Sequence, residues 1–277
     1  MKKLLLFLIC FNSVVGFSQT PIKKQTLIPL DNIKGVPFYK DLEMNDLDIG
    51  GFEIDSNGNF YFLGGDKTIC LAAFSNNRPI YRKTFSKRRP ESLYINNNSL
   101  YTFETGGFGV NNLVELKLSD GVIKNIYTHL ISKNIASYTF ADSSIVIGIQ
   151  SADKDEFYQY NLKGKYIKQV VNQYNILSNI LPPKIQQSDW ELLGKWNDNY
   201  IFWNINPEST KNEKICMVNK DGEVLATKLL PANFSGDGYV SNPPEDRKVR
   251  NGSLFVLGRR GKYALITEVP LASLFGK

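Results

Sequence analysis

One four-part pattern of short apolar segments and polar turns recurs along the chain. A short segment leads by a tight polar turn into a second, very apolar one; a variable loop, a third segment, another tight turn and a fourth segment follow. The clearest copy runs from Phe52 to Phe85, with turns at Asp55–Asn59 and Asn76–Pro79. Tyr, Phe, Ile and Val favour strands, and Asn-Gly and Asp-Gly favour tight hairpins because these residues tolerate positive φ. Each copy is therefore predicted to be a four-stranded antiparallel meander.

Four further copies follow the first and fill most of the chain. They begin at Ser92, Tyr138, Glu191 and Lys248, and the last copy has no fourth strand of its own. A spare apolar strand, Gln25–Ile28, lies near the start of the chain. If that strand completes the last meander, a ring closes and both exposed sheet edges are covered. We therefore predict an all-β fold, a β-propeller of about five blades closed by the N-terminal strand.

The turn of the first copy carries a resemblance to known repeats. The residues Ile54-Asp55-Ser56-Asn57-Gly58-Asn59-Phe60-Tyr61 resemble blades of the NHL-like and YVTN-like β-propellers. The resemblance implies a fold only, since propellers host many unrelated functions, and it transfers no functional residue. A sixth, degenerate blade would have to lie in Gln173–Asp189.

The N-terminus is typical of a secretory signal peptide. Lys2 and Lys3 precede an apolar run from Leu4 to Val15, and Gly16–Gln19 contains small residues. The ending resembles signal peptides of Bacteroidota. We expect cleavage near Gln19, so that residues 1–19 are the signal and residues 20–277 are a single propeller domain in the periplasm or outside the cell. No other segment approaches the roughly 20 apolar residues of a membrane span, so we do not expect an integral membrane protein.

Charge and cysteine usage add two constraints. The formal charge is +6, and loss of Lys2 and Lys3 leaves +4, spread evenly enough that it does not indicate a nucleic-acid ligand. Cys70 and Cys216 lie in apolar segments of different copies. Their surroundings favour two small buried hydrophobic residues, although an oxidising compartment leaves a disulfide open.

Few residues are suited to metal, cofactor or nucleophilic chemistry. His129 is the single histidine, which excludes a site with several histidine ligands, and no phosphate-binding glycine loop is present. Asp55–Asn59 has oxygens at alternate positions but no downstream Glu at calcium spacing, so a hairpin turn is favoured. We expect neither a metal nor a cofactor.

The lengths of the connections indicate which face of the ring binds a partner. Connections between first and second strands, and between third and fourth strands, are short and share one face. Nearly all the long segments fall on the other face, and binding residues are disproportionately found on such loops. The predicted binding residues on or near these loops are Arg88, Arg89, Tyr174, Trp190, Phe234 and Tyr239.

The sequence leaves three functions open. The favoured one is a secreted, non-enzymatic binding propeller that recognises a protein or glycan through its loop-rich face. A second is a carbohydrate-active enzyme, a glycoside hydrolase or lyase, that uses paired carboxylates at the channel mouth. Its candidate catalytic residues are Asp48, Glu91, Asp189 and Asp246. A third is a structural subunit of a cell-surface assembly.

Overall fold

Twenty strands and one short helix make up the described part of the chain. A computed structural model describes residues 24–29, 51–64, 69–85, 90–106, 110–128, 130, 135–141, 143–150, 155–170, 190–204, 214–230 and 247–276. The elements are β1 (Lys24–Pro29), β2 (Gly51–Ile54), β3 (Asn59–Gly64), β4 (Ile69–Ser75), β5 (Arg78–Phe85), β6 (Tyr94–Asn96), β7 (Ser99–Gly106), β8 (Val110–Lys117), β9 (Ile123–Thr128), β10 (Ile135–Ala141), β11 (Ser144–Gln150), β12 (Asp155–Asn161), β13 (Tyr166–Val170), β14 (Trp190–Trp196), β15 (Asn199–Asn204), β16 (Lys214–Val218), β17 (Val224–Leu229), β18 (Arg247–Arg250), β19 (Ser253–Arg260), β20 (Tyr263–Pro270) and α1 (Leu271–Phe275).

The strands form five separate four-stranded antiparallel sheets, which are the blades. Blades 1 to 4 are the meanders β2–β5, β6–β9, β10–β13 and β14–β17, and blade 5 has the order β18-β19-β20-β1. The first strand of each blade faces the centre of the ring: β18 contacts β14 on one side and β2 on the other, and β2 contacts β6. The chain is a five-bladed β-propeller, as predicted. The degenerate sixth blade considered for Gln173–Asp189 lies outside the described residues.

The ring is closed by the N-terminal strand, as the sequence predicts. β1 pairs antiparallel with β20 in a continuous register from Lys24 opposite Glu268 to Pro29 opposite Tyr263. Ile28 is fully buried and packs in the same core as Phe52 of blade 1 and Phe255 of blade 5. The closing strand therefore supplies both hydrogen bonds and core surface.

A recurrent bulged turn explains the Gly that follows Asp or Lys in several copies. In blades 2, 3 and 4 the hairpin between the third and fourth strands ends at Gly121, Gly164 and Gly222, all with positive φ, and the register of the pair shifts just before it. In blades 3 and 4 this is a three-residue hairpin loop with a glycine bulge, and in blade 2 the loop 118–121 is one residue longer; a residue with a Cβ adopts the positive φ of the glycine only under strain. The repeat therefore includes the turn geometry as well as the strand pattern.

The Asp55 turn is held by its own side chain. Oδ1 of Asp55 accepts hydrogen bonds from the backbone N–H groups of Asn57 and Asn59 at 2.9 Å, and Oδ2 accepts one from the Tyr61 hydroxyl at 3.0 Å. The predicted hairpin turn is thus confirmed. Burial, together with Asp55, raises the pKa of Tyr61 above its usual value.

Hydrophobic cores lie between adjacent blades. The largest joins blades 4 and 5 and contains Trp203, Val249 and Leu271. Helix α1, which the sequence does not predict, places Leu274 and Phe275 in this same core, and the Phe275 ring stacks on Trp196 at 6.2 Å. The short helix therefore covers the junction of the last two blades at the end of the ring where the tight turns lie.

The last hairpin and the two cysteines complete the description of the fold. Strand β19 continues to Arg260, which pairs directly with Tyr263, so only two residues connect β19 with β20. Cys70 and Cys216 are buried free thiols, as favoured, and lie in blades 1 and 4. In the described part of the chain, no helix is long and apolar enough to cross a membrane.

Candidate functional site

The two faces of the ring differ as the repeat predicts. One face, which we call the short-turn face, carries the connections within each hairpin of strands one and two and of strands three and four, and each is two to five residues long. On the opposite, loop-rich side, the strand ends are joined by the longer connections 30–50, 86–93, 129–134, 171–189, 205–213 and 230–246. Four connections between second and third strands on this side are also short, at two to four residues: 65–68, 107–109, 151–154 and 261–262.

Most of the predicted site residues fall in those long connections. Those that lie outside the described residues are Asp48, Arg88, Arg89, Tyr174, Asp189, Phe234, Tyr239 and Asp246. Their assignment to the loop-rich face stays a prediction.

Two predicted site residues are described. Trp190, the first residue of β14, is half-buried and packs against a cluster in blade 4 that contains Tyr200, Phe202 and Cys216. Glu91 is exposed, and its backbone N–H donates to the carbonyl oxygen of Phe103 at 2.9 Å. Both residues lie at the start of innermost strands, on the loop-rich side.

A cavity of about 320 Å³ occupies the central channel, and all five blades contribute to its wall. The lining extends along the innermost strands, from Gly51 at the start of β2 to Asn251 in the turn after β18. Its lining residues are Gly51, Glu53, Ser92, Leu93, Tyr94, Tyr138, Thr139, Phe140, Leu192, Leu193, Gly194, Lys195, Tyr200, Lys248, Val249, Arg250 and Asn251.

The charged groups of this wall centre on one carboxylate. Glu53 is 1% exposed, and its two oxygens accept hydrogen bonds from Nε and Nη2 of Arg250 at 3.2 and 3.1 Å. Nζ of Lys248 lies 3.8 Å from the same carboxylate, too far for a hydrogen bond. Lys195 lies on the neighbouring strand β14. Three cations against one carboxylate give the described wall a positive charge.

Two aromatic rings extend the Glu53–Arg250 ion pair into a row of contacts around the channel. The Arg250 guanidinium lies 5.7 Å from the centre of the Tyr94 ring, and Phe140 stacks on Tyr94 with ring centres 5.1 Å apart and an interplanar angle of 5°. Glu53, Arg250, Tyr94 and Phe140 belong to blades 1, 5, 2 and 3. The row therefore joins four blades through cation–π, stacking and ion-pair contacts.

Ser92 contributes to the cavity wall a hydroxyl group that makes no hydrogen bond with the described residues. The residue is 6% exposed and lines the cavity, and its hydroxyl has no hydrogen-bond partner among the described residues. A buried hydroxyl left unpaired costs about 1–3 kcal/mol. Such a group is the kind that a ligand or a bound water satisfies.

The described lining contains cations, aromatic residues and one carboxylate. Among the described lining residues Glu53 is the one carboxylate, and Arg250 occupies both of its oxygens. Cleavage of a glycosidic bond by paired carboxylates needs a second carboxyl group within about 5–10 Å. Among the described residues, no group of three His, Cys, Asp or Glu side chains is placed to hold a metal ion.

Sequence reasoning missed the cavity. It assigned the binding role to long loops, whereas Glu53, Lys195, Lys248 and Arg250 lie within strands. A signal was available, because the first strand of every copy faces the channel and charged side chains in such strands are unusual. Only the closed ring shows that Glu53 and Arg250 meet.

Comparisons with known proteins give likenesses of fold. No protein-family model matches the sequence, and no curated protein matches it. Among solved structures, BamB from Moraxella catarrhalis is 8% identical with a TM-score of 0.38, covering 81% of this chain and 86% of that one. The β-propeller domain of the Trilobed protease from Pyrococcus furiosus is 10% identical with a TM-score of 0.36, covering 78% and 66%. The Dos1 propeller is 9% identical with a TM-score of 0.34, covering 76% and 53%.

Proposed function

We propose that the protein is an exported, non-enzymatic binding propeller that recognises a protein or a glycan through its loop-rich face. The observation that supports this most is the unequal length of the connections on the two faces. A ring of five packed blades is a rigid frame, and long segments fixed at both ends on one side of such a frame are the usual position of binding residues.

The residues proposed to make the contact combine aromatic rings with cations. Tyr, Trp and Arg are enriched where binding energy concentrates, because they bury large surfaces and donate hydrogen bonds. The proposed contact residues are Arg88, Arg89, Tyr174, Trp190, Phe234 and Tyr239. Of these, Trp190 is half-buried at the loop-rich start of β14, so part of its ring is available to a partner.

A double substitution tests the loop-rich face directly. Candidate ligands are first selected with an immobilised glycan array and by crosslinking in an extract of the native host. Tyr174→Ala combined with Tyr239→Ala is expected to weaken the binding of a selected glycan or protein at least tenfold. Tyr166→Ala is the matched control, because Tyr166 is 51% exposed on the outermost strand of blade 3, away from this face. Unchanged affinity in a double variant that melts at the normal temperature would contradict the proposal.

The same preparation separates binding from catalysis. A glycan that binds should be recovered intact after long incubation. Turnover that disappears in Asp189→Asn or Asp246→Asn would instead support the carbohydrate-active enzyme. A stable multi-subunit complex in native mass spectrometry, with no glycan or soluble ligand bound, would support the cell-surface assembly.

Export is the remaining part of the proposal. It rests on the basic start and apolar run of residues 1–19. Expression of the full chain in a Gram-negative host is expected to give a periplasmic protein whose N-terminus lies near residue 20. A cytoplasmic product that retains Met1 would contradict this part.

A further inference from the structure

We infer that the central cavity binds a small carboxylate-bearing sugar, such as a hexuronate, at a site separate from the loop-rich face. The inference does not depend on the proposed macromolecular partner, because the three cations that carry it, Lys195, Lys248 and Arg250, lie within innermost strands and not in the long loops.

Size sets the first limit on the ligand. Small-molecule sites usually span about 300–1,000 Å³. A cavity of about 320 Å³ lies at the small end of that range, which fits one small molecule and not a folded partner or a long chain.

Charge sets the second limit. The described wall holds Lys195, Lys248 and Arg250 against Glu53 alone. Arg250 donates two hydrogen bonds to Glu53. The Lys248 ammonium lies beyond hydrogen-bond distance of the same carboxylate, and the Lys248 side chain is 20% exposed. Lys248 can therefore donate to an incoming anion while Arg250 stays in place, and a partly enclosed site strengthens that attraction relative to water.

The rest of the wall distinguishes a sugar acid from a simple anion. Tyr138 and Phe140, which are partly buried, line the cavity on the blade 3 side and give that part of the wall the apolar character that suits one face of a pyranose ring. The Ser92 hydroxyl has no partner in the described structure, and Thr139 also lines the wall. The Ser92 oxygen is buried, so a ligand reaches it only when the side chain rotates; a ligand hydroxyl would then satisfy it, whereas an aromatic acid without hydroxyl groups would leave it unpaired.

Calorimetric titration of the protein from residue 20 to 277 with D-glucuronate and D-galacturonate tests the inference. At least one uronate should bind, and its neutral counterpart, D-glucose or D-galactose, should bind at least tenfold more weakly at the same ionic strength. Acetate should also bind at least tenfold more weakly, because it lacks the ring. Equal binding of the neutral sugar, equal binding of acetate, or no heat with either uronate would overturn the inference.

Two substitutions locate the site. Lys248→Gln removes one cation from the wall and should weaken uronate binding about tenfold or more, and Ser92→Ala should weaken it several-fold. Lys228→Gln makes the same chemical change on the exposed outermost strand of blade 4 and should leave the affinity unchanged. A folded Lys248→Gln variant that binds like the parent would place the uronate elsewhere and overturn the assignment. Tyr174→Ala with Tyr239→Ala should leave uronate binding intact, which keeps this test distinct from that of the loop-rich face.

Discussion

The carboxylate of Glu53 and the guanidinium of Arg250 form two hydrogen bonds, 3.2 and 3.1 Å long, between residues 197 positions apart in the chain. They tie the innermost strand of blade 5 to that of blade 1. Phe52, Phe60 and Phe255 belong to the apolar core between the same two blades. The ion pair adds hydrogen bonds of defined geometry to that apolar contact. It therefore fixes how the last blade meets the first.

Glu53→Gln should destabilise the fold by about 2–3 kcal/mol, because it leaves Arg250 and Lys248 partly buried without their counter-charge. Chemical denaturation followed by tryptophan fluorescence measures the change. Asp155→Asn, which removes an exposed carboxylate on β12, should change stability by no more than about 0.5 kcal/mol. Equal effects of the two substitutions would show that the ion pair has no special role in closing the ring.

Glu115 should make stability depend on acid pH. Burial opposes its ionisation, but hydrogen bonds from Lys124, Asn125, Ser99 and Tyr127 outweigh burial and lower its pKa to about 2. Its unfolded pKa is near 4.5, so its contribution is complete above that pH and is lost as pH falls towards 2.

Because Lys124 is half-exposed, solvent screening reduces that contribution to about 1–2 kcal/mol. Glu115→Gln should flatten the melting-temperature curve between pH 4.5 and pH 2. A variant whose curve runs parallel to that of the parent protein over this interval would exclude Glu115 as the cause.

Ile28→Ala should cost about 2–4 kcal/mol, since it removes a fully buried side chain from the core between blades 1 and 5. Leu229→Ala is the control, because Leu229 is 56% exposed on β17 and should cost little. Thermal unfolding gives both values. A small loss at Ile28 would mean that β1 is held by backbone pairing alone.

Gly51→Ala should weaken the junction of blades 1 and 2. A Cβ at this position would lie 2.8 Å from the backbone nitrogen of Leu93, so one of the two strands must shift. Gly261→Ala meets nothing within 4 Å and faces only the strain of a positive φ, about 1 kcal/mol. Gly51→Ala should therefore lower the melting temperature clearly more than Gly261→Ala; the opposite order would refute the close approach.

The two blade cysteines should be unreactive in the folded protein. Burial raises the pKa of Cys70, and it raises the pKa of Cys216 to about 12, so neither thiol forms much thiolate at neutral pH. In the protein from residue 20 to 277, DTNB should titrate no thiol under native conditions and two after denaturation. Fewer than two thiols in the denatured protein would indicate that they form a disulfide.

The repeat could be predicted because its signals are local. Strand-forming residues and turns such as Asp55–Asn59 lie within a few positions of one another, and the missing fourth strand of the last copy indicated the role of Gln25–Ile28. Helix α1 was missed because five residues after Pro270 are too few to show helical periodicity.

The cavity could not be predicted in the same way. Glu53 meets Arg250 only when the ring closes and brings blade 5 against blade 1, and Tyr94 meets Phe140 only in the register that the packing of blades 2 and 3 fixes. Sequence pattern predicts which strand of each copy is innermost, but not which side chains meet across the channel.

The pairing of β1 with β20 also determines the order of events when the protein folds. Lys24 and its partner Glu268 lie at opposite ends of the chain, whereas each of blades 1 to 4 is made from neighbouring segments. Local meanders form quickly, and contacts between distant segments form slowly because a long loop must close first. We therefore expect the pairing of β1 with β20 to form late in folding, so that closure of the ring is one of the last steps.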